Sequence, residues 1–463
     1  MAEEQILDRQ DDRDEGDFGP GPEWLARVDE ALEAGDAQTL NAALEPMHAA
    51  DIADLIERLT PSGRKDFIDL YGGEIDGEIL SEIDESIREE FVEMLPRHVL
   101  AEAVREMDSD DVVDLIEDLD EPDRAEILAA LDESDRAAVQ QSLAYPEYSA
   151  GRLMQSEVVT APEHWTVGET IDFLRAEEWL PEQFYHIILV DPRRHPIGYV
   201  TLGRLLATRR DVALRDLAED SFRTISAYAE EGDVAYAFNQ YHLISAPVVD
   251  ASERLVGVIT IDDAMTVLDE EHEEDILRLA GVGEESAITD SVAETLRQRL
   301  PWLIVNLATA IAASLVIAVF EATIQQVVAL AVLMPIVASM GGNAGTQTLT
   351  VAVRALATKS LSGSNVWRVV RREAIVGLLN GLAFAVVMGI VAFIWFDGVS
   401  LAAVIAVAMI VNLAIAALAG ILVPLGLEKV GADPALASGT FVTTVTDVVG
   451  FFAFLGLASA VLL

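Results

Sequence analysis

Five long apolar stretches close the chain, at about 301–320, 324–346, 373–396, 401–427 and 435–463, each long enough to cross a hydrocarbon core as a helix. Ahead of them the pattern changes more than once. From about residue 24 apolar residues recur at helical spacing, and DIADLIERL at 51–59 returns as DVVDLIEDL at 111–119, 60 residues later. That periodicity predicts helical hairpins stacked into a small superhelix over 24–148, with the repeat serving packing. Between 149 and 265, short β-branched runs such as 187–190 and 255–260 alternate with amphipathic stretches such as 167–176, which predicts an α/β unit. It too is a repeat: Val190, Asp191, Gly198, Val200 and Thr201 match Val249, Asp250, Gly257, Ile259 and Thr260, each pair 59 residues apart. Residues 266–299 read as one polar helical connector into the first apolar stretch, and residues 1–23, acidic and without apolar period, read as a disordered tail.

Composition sharpens this division. Mean hydropathy of +0.31 is high for a chain with formal charge −49, so the apolar residues must be segregated. They are: residues 301–463 hold six acids and six bases, which leaves 73 of the 79 acids and 24 of the 30 bases in residues 1–300. A surface so negative excludes nucleic acid as a partner, because phosphate binding needs clustered Lys and Arg, and makes cations the natural ones. Only three lysines occur, Lys65, Lys359 and Lys429, so an adaptation to a salt-rich cytosol explains the overall charge as well as metal sensing does. With no cysteine there is no disulfide or thiolate-metal site. The start MAEEQILDRQDD lacks a basic n-region and an apolar h-region, which leaves the acidic half in the cytosol. Arg354, Lys359, Arg368, Arg371 and Arg372 all fall between the second and third spans, so the positive-inside rule puts the N-terminus in the cytoplasm and the C-terminus outside, in a multi-pass protein of the cell membrane bilayer.

Within the spans, the ionisable side chain well away from an end is Asp447, near the middle of the fifth. A carboxylate there is costly and marks an ion or proton path. Thr443 and Thr444, four and three residues earlier, share its helical face and can order water around an ion. The second span closes with PIVASMGGNAGTQ at 335–347, whose proline and glycines predict an irregular backbone lining a cavity, or else close helix packing through Gly341, Gly342 and Gly345. Magnesium keeps its waters and is held by one or two carboxylates, so one Asp per chain points to a two-fold dimer supplying two. All seven histidines precede residue 300, which leaves no HExxH zinc site on a span and argues against an enzyme. A regulated carrier of an osmolyte or anion would place cationic or neutral polar groups in the spans, and Asp447 argues the other way.

The 59-residue repeat resembles a tandem cystathionine-β-synthase-type (CBS) pair, a regulatory module that often binds adenine nucleotides. The order of helical domain (24–148), CBS pair (149–265), connecting plug helix (266–299) and five-span membrane domain (300–463) resembles the MgtE family of magnesium channels. GGNAGTQ at 341–347, RAL at 354–356 and DPALASGTFVTTVTD at 433–447 are the most specific matches. The resemblance implies a homodimer in which Asp447 holds a hydrated magnesium ion, with Ala432 and Gly450 on pore positions and Gly342 and Asn343 in support. It further implies that cytosolic magnesium closes the pore by bridging the helical domain, CBS pair and plug helix, with Asp110, Asp114, Asp263, Glu274 and Asp275 on acidic sensor positions. The chain departs from that pattern at His242 and Thr266, where acidic ligands are expected, at Leu243, which replaces an aromatic, and at Thr346 and Gly439, where some members carry Asn.

Overall fold

The computed structural model describes residues 21–463, apart from 118, 178, 182, 220–221, 283–285, 287–291, 362 and 364. Most of the acidic tail expected over 1–23 therefore lies outside the described residues. The chain divides into two compact units, residues 1–269 and 270–463.

Among the described residues the first unit begins with ten short α-helices: α1 (Pro22–Ala34), α2 (Ala37–Leu44), α3 (Ala49–Arg58), α4 (Pro61–Tyr71), α5 (Gly77–Ser81), α6 (Glu85–Met94), α7 (Arg97–Glu106), α8 (Ser109–Glu117), α9 (Glu121–Ala130) and α10 (Glu133–Ser142). Polar residues start many of them: the side chains of Asp36, Thr60, Asp76 and Asp84 each accept a backbone N–H from the first turn that follows. The 60-residue repeat lands on α3 and α8, whose apolar faces enter one continuous core running from Trp24 to Val139. Buried arginines stitch the hairpins together. Arg64 on α4 donates to the carbonyls of Ile56 and Glu57 at the end of α3 and pairs with Glu90 at 2.9 Å; Arg88 on α6 donates to Ile83 O and pairs with Asp114 at 2.7 Å. Each guanidinium thereby donates to backbone carbonyls beside a helix end.

The α/β part follows with α11 (Ala150–Leu153), β1 (Thr160–Pro162), α12 (Val167–Ala176), β2 (His186–Val190), β3 (Pro196–Thr201), α13 (Leu202–Ala207), β4 (Ile225–Ser226), α14 (Glu231–Tyr241), β5 (Ser245–Val249), β6 (Leu255–Thr260) and α15 (Ile261–Ala280). It builds two three-stranded sheets, ordered β1-β2-β3 and β4-β5-β6, each with a parallel and an antiparallel pairing. The repeat read from sequence is a repeat of register: Leu189 pairs with Gly198 as Val248 pairs with Gly257, and both sheets slip at the next residue, between Leu189 and Val190 and between Val248 and Val249. His186 Nδ1 and Ser245 Oγ, 2.5 Å apart, join the first residues of the equivalent strands β2 and β5.

The connector differs from the single helix expected over 266–299. Helix α15 begins five residues earlier, straight out of β6, and ends at Ala280, because Gly281 turns into the left-handed region (φ 71°) that favours glycine. Among the described residues the next helix, Val292–Val319, runs without interruption into the first span.

The second unit holds α16 (Val292–Val319), α17 (Glu321–Gln326), α18 (Ala329–Ala357), α19 (Val366–Phe396), α20 (Val399–Lys429) and α21 (Pro434–Leu462), and five of these helices are long and apolar enough to cross a membrane. α20 is the hub, packed against α18, α19 and α21. The irregular backbone expected over 335–347 is absent: α18 stays helical through Pro335 and the Gly341 to Gln347 run. Glycine there serves close approach instead. A Cβ on Gly345 would lie 2.6 Å from Val442 Cγ1, and one on Gly420 would lie 2.6 Å from Gly345 O, so α18, α20 and α21 meet at distances that only small residues permit.

Candidate functional site

Asp447 sits on α21, half-buried, and its carboxylate makes no hydrogen bond or ion pair among the described residues. The hydroxyls beside it are committed within their own helix: Thr443 Oγ1 donates to the carbonyls of Gly439 and Thr440, Thr444 Oγ1 to Thr440 O, and Thr446 Oγ1 to Thr443 O. Each threonine therefore has only oxygen lone pairs left to offer a neighbour. Gly342 of α18 faces the Thr443 methyl, at 4.0 Å from where its Cβ would be, while Asn343 is exposed and donates to Ser339 Oγ at 3.4 Å.

Ala432 lies exposed in the turn between α20 and α21. The next residue, Asp433, caps α21 by accepting Ala435 N–H at 2.6 Å. It also receives Arg278, whose guanidinium bridges Asp433 and Glu274 at 2.8 Å each. The C-terminal turns of α15 thus rest on the start of α21, with Leu279 packed against Leu349, Val353, Ala435 and Val442. Asp275 is pushed up from the ordinary carboxylate range, first by burial and then by the charge of Asp433.

A second acidic group forms in the first unit. Asp110 and Asp111 open α8 and Asp263 opens α15, where its carboxylate accepts Thr260 Oγ1 at 2.6 Å. Burial, followed by the charge of Asp263, holds Asp110 well above the usual range and Asp111 up at about 7; burial, with Asp262 and Asp108 adding to it, raises Asp263 to about 6. These are carboxylates forced together at a cost in ionisation, the condition that a divalent cation relieves. Among the described residues no three or more His, Asp or Glu side chains are set as a metal cage.

Of the residues singled out from sequence, the structure brings Asp110 and Asp263 together, with Asp111 added, and Gly342 to Thr443. Asp114 is instead engaged by Arg88, Glu274 by Arg278, and Gly450 is buried against the Asn412 amide. Asn412, Arg278, Asp433 and Asp111 are additions. Asn412 had a visible signal, a lone amide in the fourth apolar stretch, whereas Asp111 was masked by belonging to a packing repeat.

Comparison with known proteins agrees along the chain. Residues 334–457 match the family described as MgtE, divalent cation transporter; residues 47–148 match the MgtE intracellular N domain; residues 150–211 and 214–270 match the CBS domain. The magnesium transporter MgtE of Thermus thermophilus is 31% identical over 441 residues, spanning 94% of this chain and 98% of that protein. The magnesium transporter MgtE of Bacillus subtilis is 28% identical over 438 residues, spanning 95% and 97%. Among solved structures, the cytosolic domain of the Mg2+ channel MgtE in complex with ATP is 28% identical at a TM-score of 0.49, covering 52% of this chain and 99% of that one. With a helical N domain, a CBS pair and five apolar helices in the matching order, the chain belongs to the MgtE family of magnesium transporters.

Proposed function

We propose that the chain forms a path for magnesium across the cell membrane in which Asp447 is the ion-contacting carboxylate, and that cytosolic magnesium regulates it. The observation that carries the path is the unpaired carboxylate of α21, a group too costly at membrane depth to be kept for packing. Two copies supply −2 to a hydrated 2+ ion, which favours a homodimer. Thr443, Thr444 and Gly342 line or support the same side, Asn343 and Gly450 stabilise it, and Ala432 stands at the cytoplasmic mouth. In this reading the N-terminus is cytoplasmic, the C-terminus is outside, and the chain is a transporter without catalytic chemistry.

Regulation is assigned to the acidic group of the first unit. Magnesium near Asp110, Asp111 and Asp263 offsets their mutual repulsion, with Asp114 contributing charge nearby. Asp263 and the pair Glu274 and Asp275 are carried on one helix, α15, so metal held at its start bears on the turn preceding α21. The division into helical sensor (24–148), CBS pair (149–265), connector (266–299) and membrane domain (300–463) follows these roles.

The test is magnesium uptake into liposomes by the purified full-length protein. Asp447→Asn keeps the size and removes the charge, and should reduce uptake by at least about 100-fold, because the hydrated 2+ ion then meets no opposite charge at membrane depth. Wild-type uptake by that variant refutes the path.

A further inference from the structure

The membrane unit contains a fully buried amide that the ion path above does not use. Asn412, midway along α20, is fully buried, where each end of an amide must find a partner without water. Its Nδ2 donates to the Val337 carbonyl of α18 at 2.7 Å, and because a carbonyl can only accept, this bond identifies the nitrogen end. Its Oδ1 meets no hydrogen-bond donor among the described residues. Both ends lie against glycine. A Cβ on Gly341 of α18 would come within 2.4 Å of Nδ2, and one on Gly450 of α21 within 2.9 Å of Oδ1. One amide thus fills the crevice where three helices meet.

Gly450 belongs to a stripe of α21 with Val442, Thr446 and Phe454, four residues apart and all buried. This is the face that α21 turns towards α18 and α20, since the missing Cβ of Gly345 points at Val442 and Thr446. Asp447 follows Thr446 by one residue, about 100° around the helix. Whatever fixes the stripe fixes the azimuth of the carboxylate.

We propose that Asn412 is a positioning residue for Asp447: by clasping α18 through Val337 O and seating Gly450 against its other end, it sets the rotation of α21 and so the direction in which the carboxylate meets the ion. The inference rests on Asp447 being the ion-contacting group. An amide suits the task because it is short, polar at both ends and held by a directional bond, whereas apolar packing alone leaves a helix free to turn by small steps.

The experiment measures uptake of magnesium and of calcium into liposomes by full-length Asn412→Ala, Gly341→Ala and Asp447→Asn, alongside melting of each protein in detergent. Asn412→Ala removes both ends of the clasp, and Gly341→Ala pushes the amide out of its seat from the helix that does not carry Asp447. Both should raise KM for magnesium on the order of tenfold, the scale typical of residues supporting a metal ligand, and change the magnesium-to-calcium uptake ratio. A lower melting temperature with wild-type KM and wild-type ratio in the folded protein means that Asn412 only packs, and overturns the proposal. If Asn412→Ala does not fold, Gly341→Ala decides by the same two readouts. Loss of uptake in Asp447→Asn with unaltered KM and ratio in the other variants refutes the positioning role alone, and wild-type uptake by Asp447→Asn refutes both.

Discussion

If magnesium binds the acidic group on α8 and α15 as proposed, that binding depends on pH, with a magnitude set by two carboxylates. Burial and mutual repulsion hold Asp111 at about 7 and Asp263 at about 6, against about 4 in an unfolded chain. A raised value means that the folded protein binds more protons than the unfolded one from about pH 4 to pH 7. The stability this contributes is therefore present in full below about pH 4 and is lost as pH rises through 7. Magnesium takes the place of those protons. At pH 8 both groups are ionised, with a proton-competition factor of about 1.1. At pH 6 the factor is about 11 for Asp111 and about 2 for Asp263, giving about 22 together. The apparent Kd should thus rise about 20-fold from pH 8 to pH 6, about 1.8 kcal/mol, and protonation of Asp110 can only add to it. The assay is melting of the full-length protein in detergent against magnesium at constant ionic strength, from which Kd follows by mass action. Asp111→Asn should reduce the pH effect by about tenfold, the share that Asp111 contributes. An apparent Kd equal within twofold at pH 8 and pH 6 refutes the argument that magnesium meets these carboxylates.

Further outcomes follow from particular contacts. Arg278→Ala removes the bridge between Glu274 and Asp433 and leaves Asp275 and Asp433 facing each other, so inhibition of uptake by internal magnesium should shift to higher concentration, read from uptake at fixed ionic strength. Replacing Glu274 and Asp275 together with Ala should weaken the same inhibition while leaving maximal uptake intact. Gly345→Val forces a side chain into Val442 and should destabilise the membrane helices by about 1–3 kcal/mol, seen as a lower melting temperature in detergent. Arg64→Ala strips the end of α3 of its buried donor, which should cost about 1–3 kcal/mol in thermal unfolding.

Much of this architecture could be read from the sequence, for identifiable reasons. Apolar runs longer than a bilayer needs can hardly be anything but spans, and the 59-residue repeat carried its strand register with it because Gly198 and Gly257 occupy equivalent pairings. Pro335 and the 341–347 glycines left two readings open, and the helix takes the close-packing one, since residues that break helices in water are retained in a membrane helix when a neighbour fits the gap. The connector misled: its polarity disguised Gly281, whose left-handed backbone ends α15. At the site, Asp447 stood out because charge is rare in hydrocarbon. Arg278, Asp433 and Asp111 did not, because their meaning lies in which distant carboxylate or guanidinium folding brings alongside, and 79 acids give a sequence reader too many choices.

The threonines of α21 have a consequence for how an ion moves. Their hydroxyl protons are bound to their own helix, so what they and Asp447 have to offer is acceptor capacity alone. A bare cation would want such oxygens close, but the six waters around magnesium point their hydrogens outward and match an acceptor-only wall without being stripped. Passage along such a wall, if Asp447 marks the ion path as proposed, would be governed by the size and firmness of the hydration shell and would not wait on the slow exchange of magnesium's inner waters. In the proposed path, anions, which orient water the other way, find no donor in the threonine hydroxyls or in Asp447.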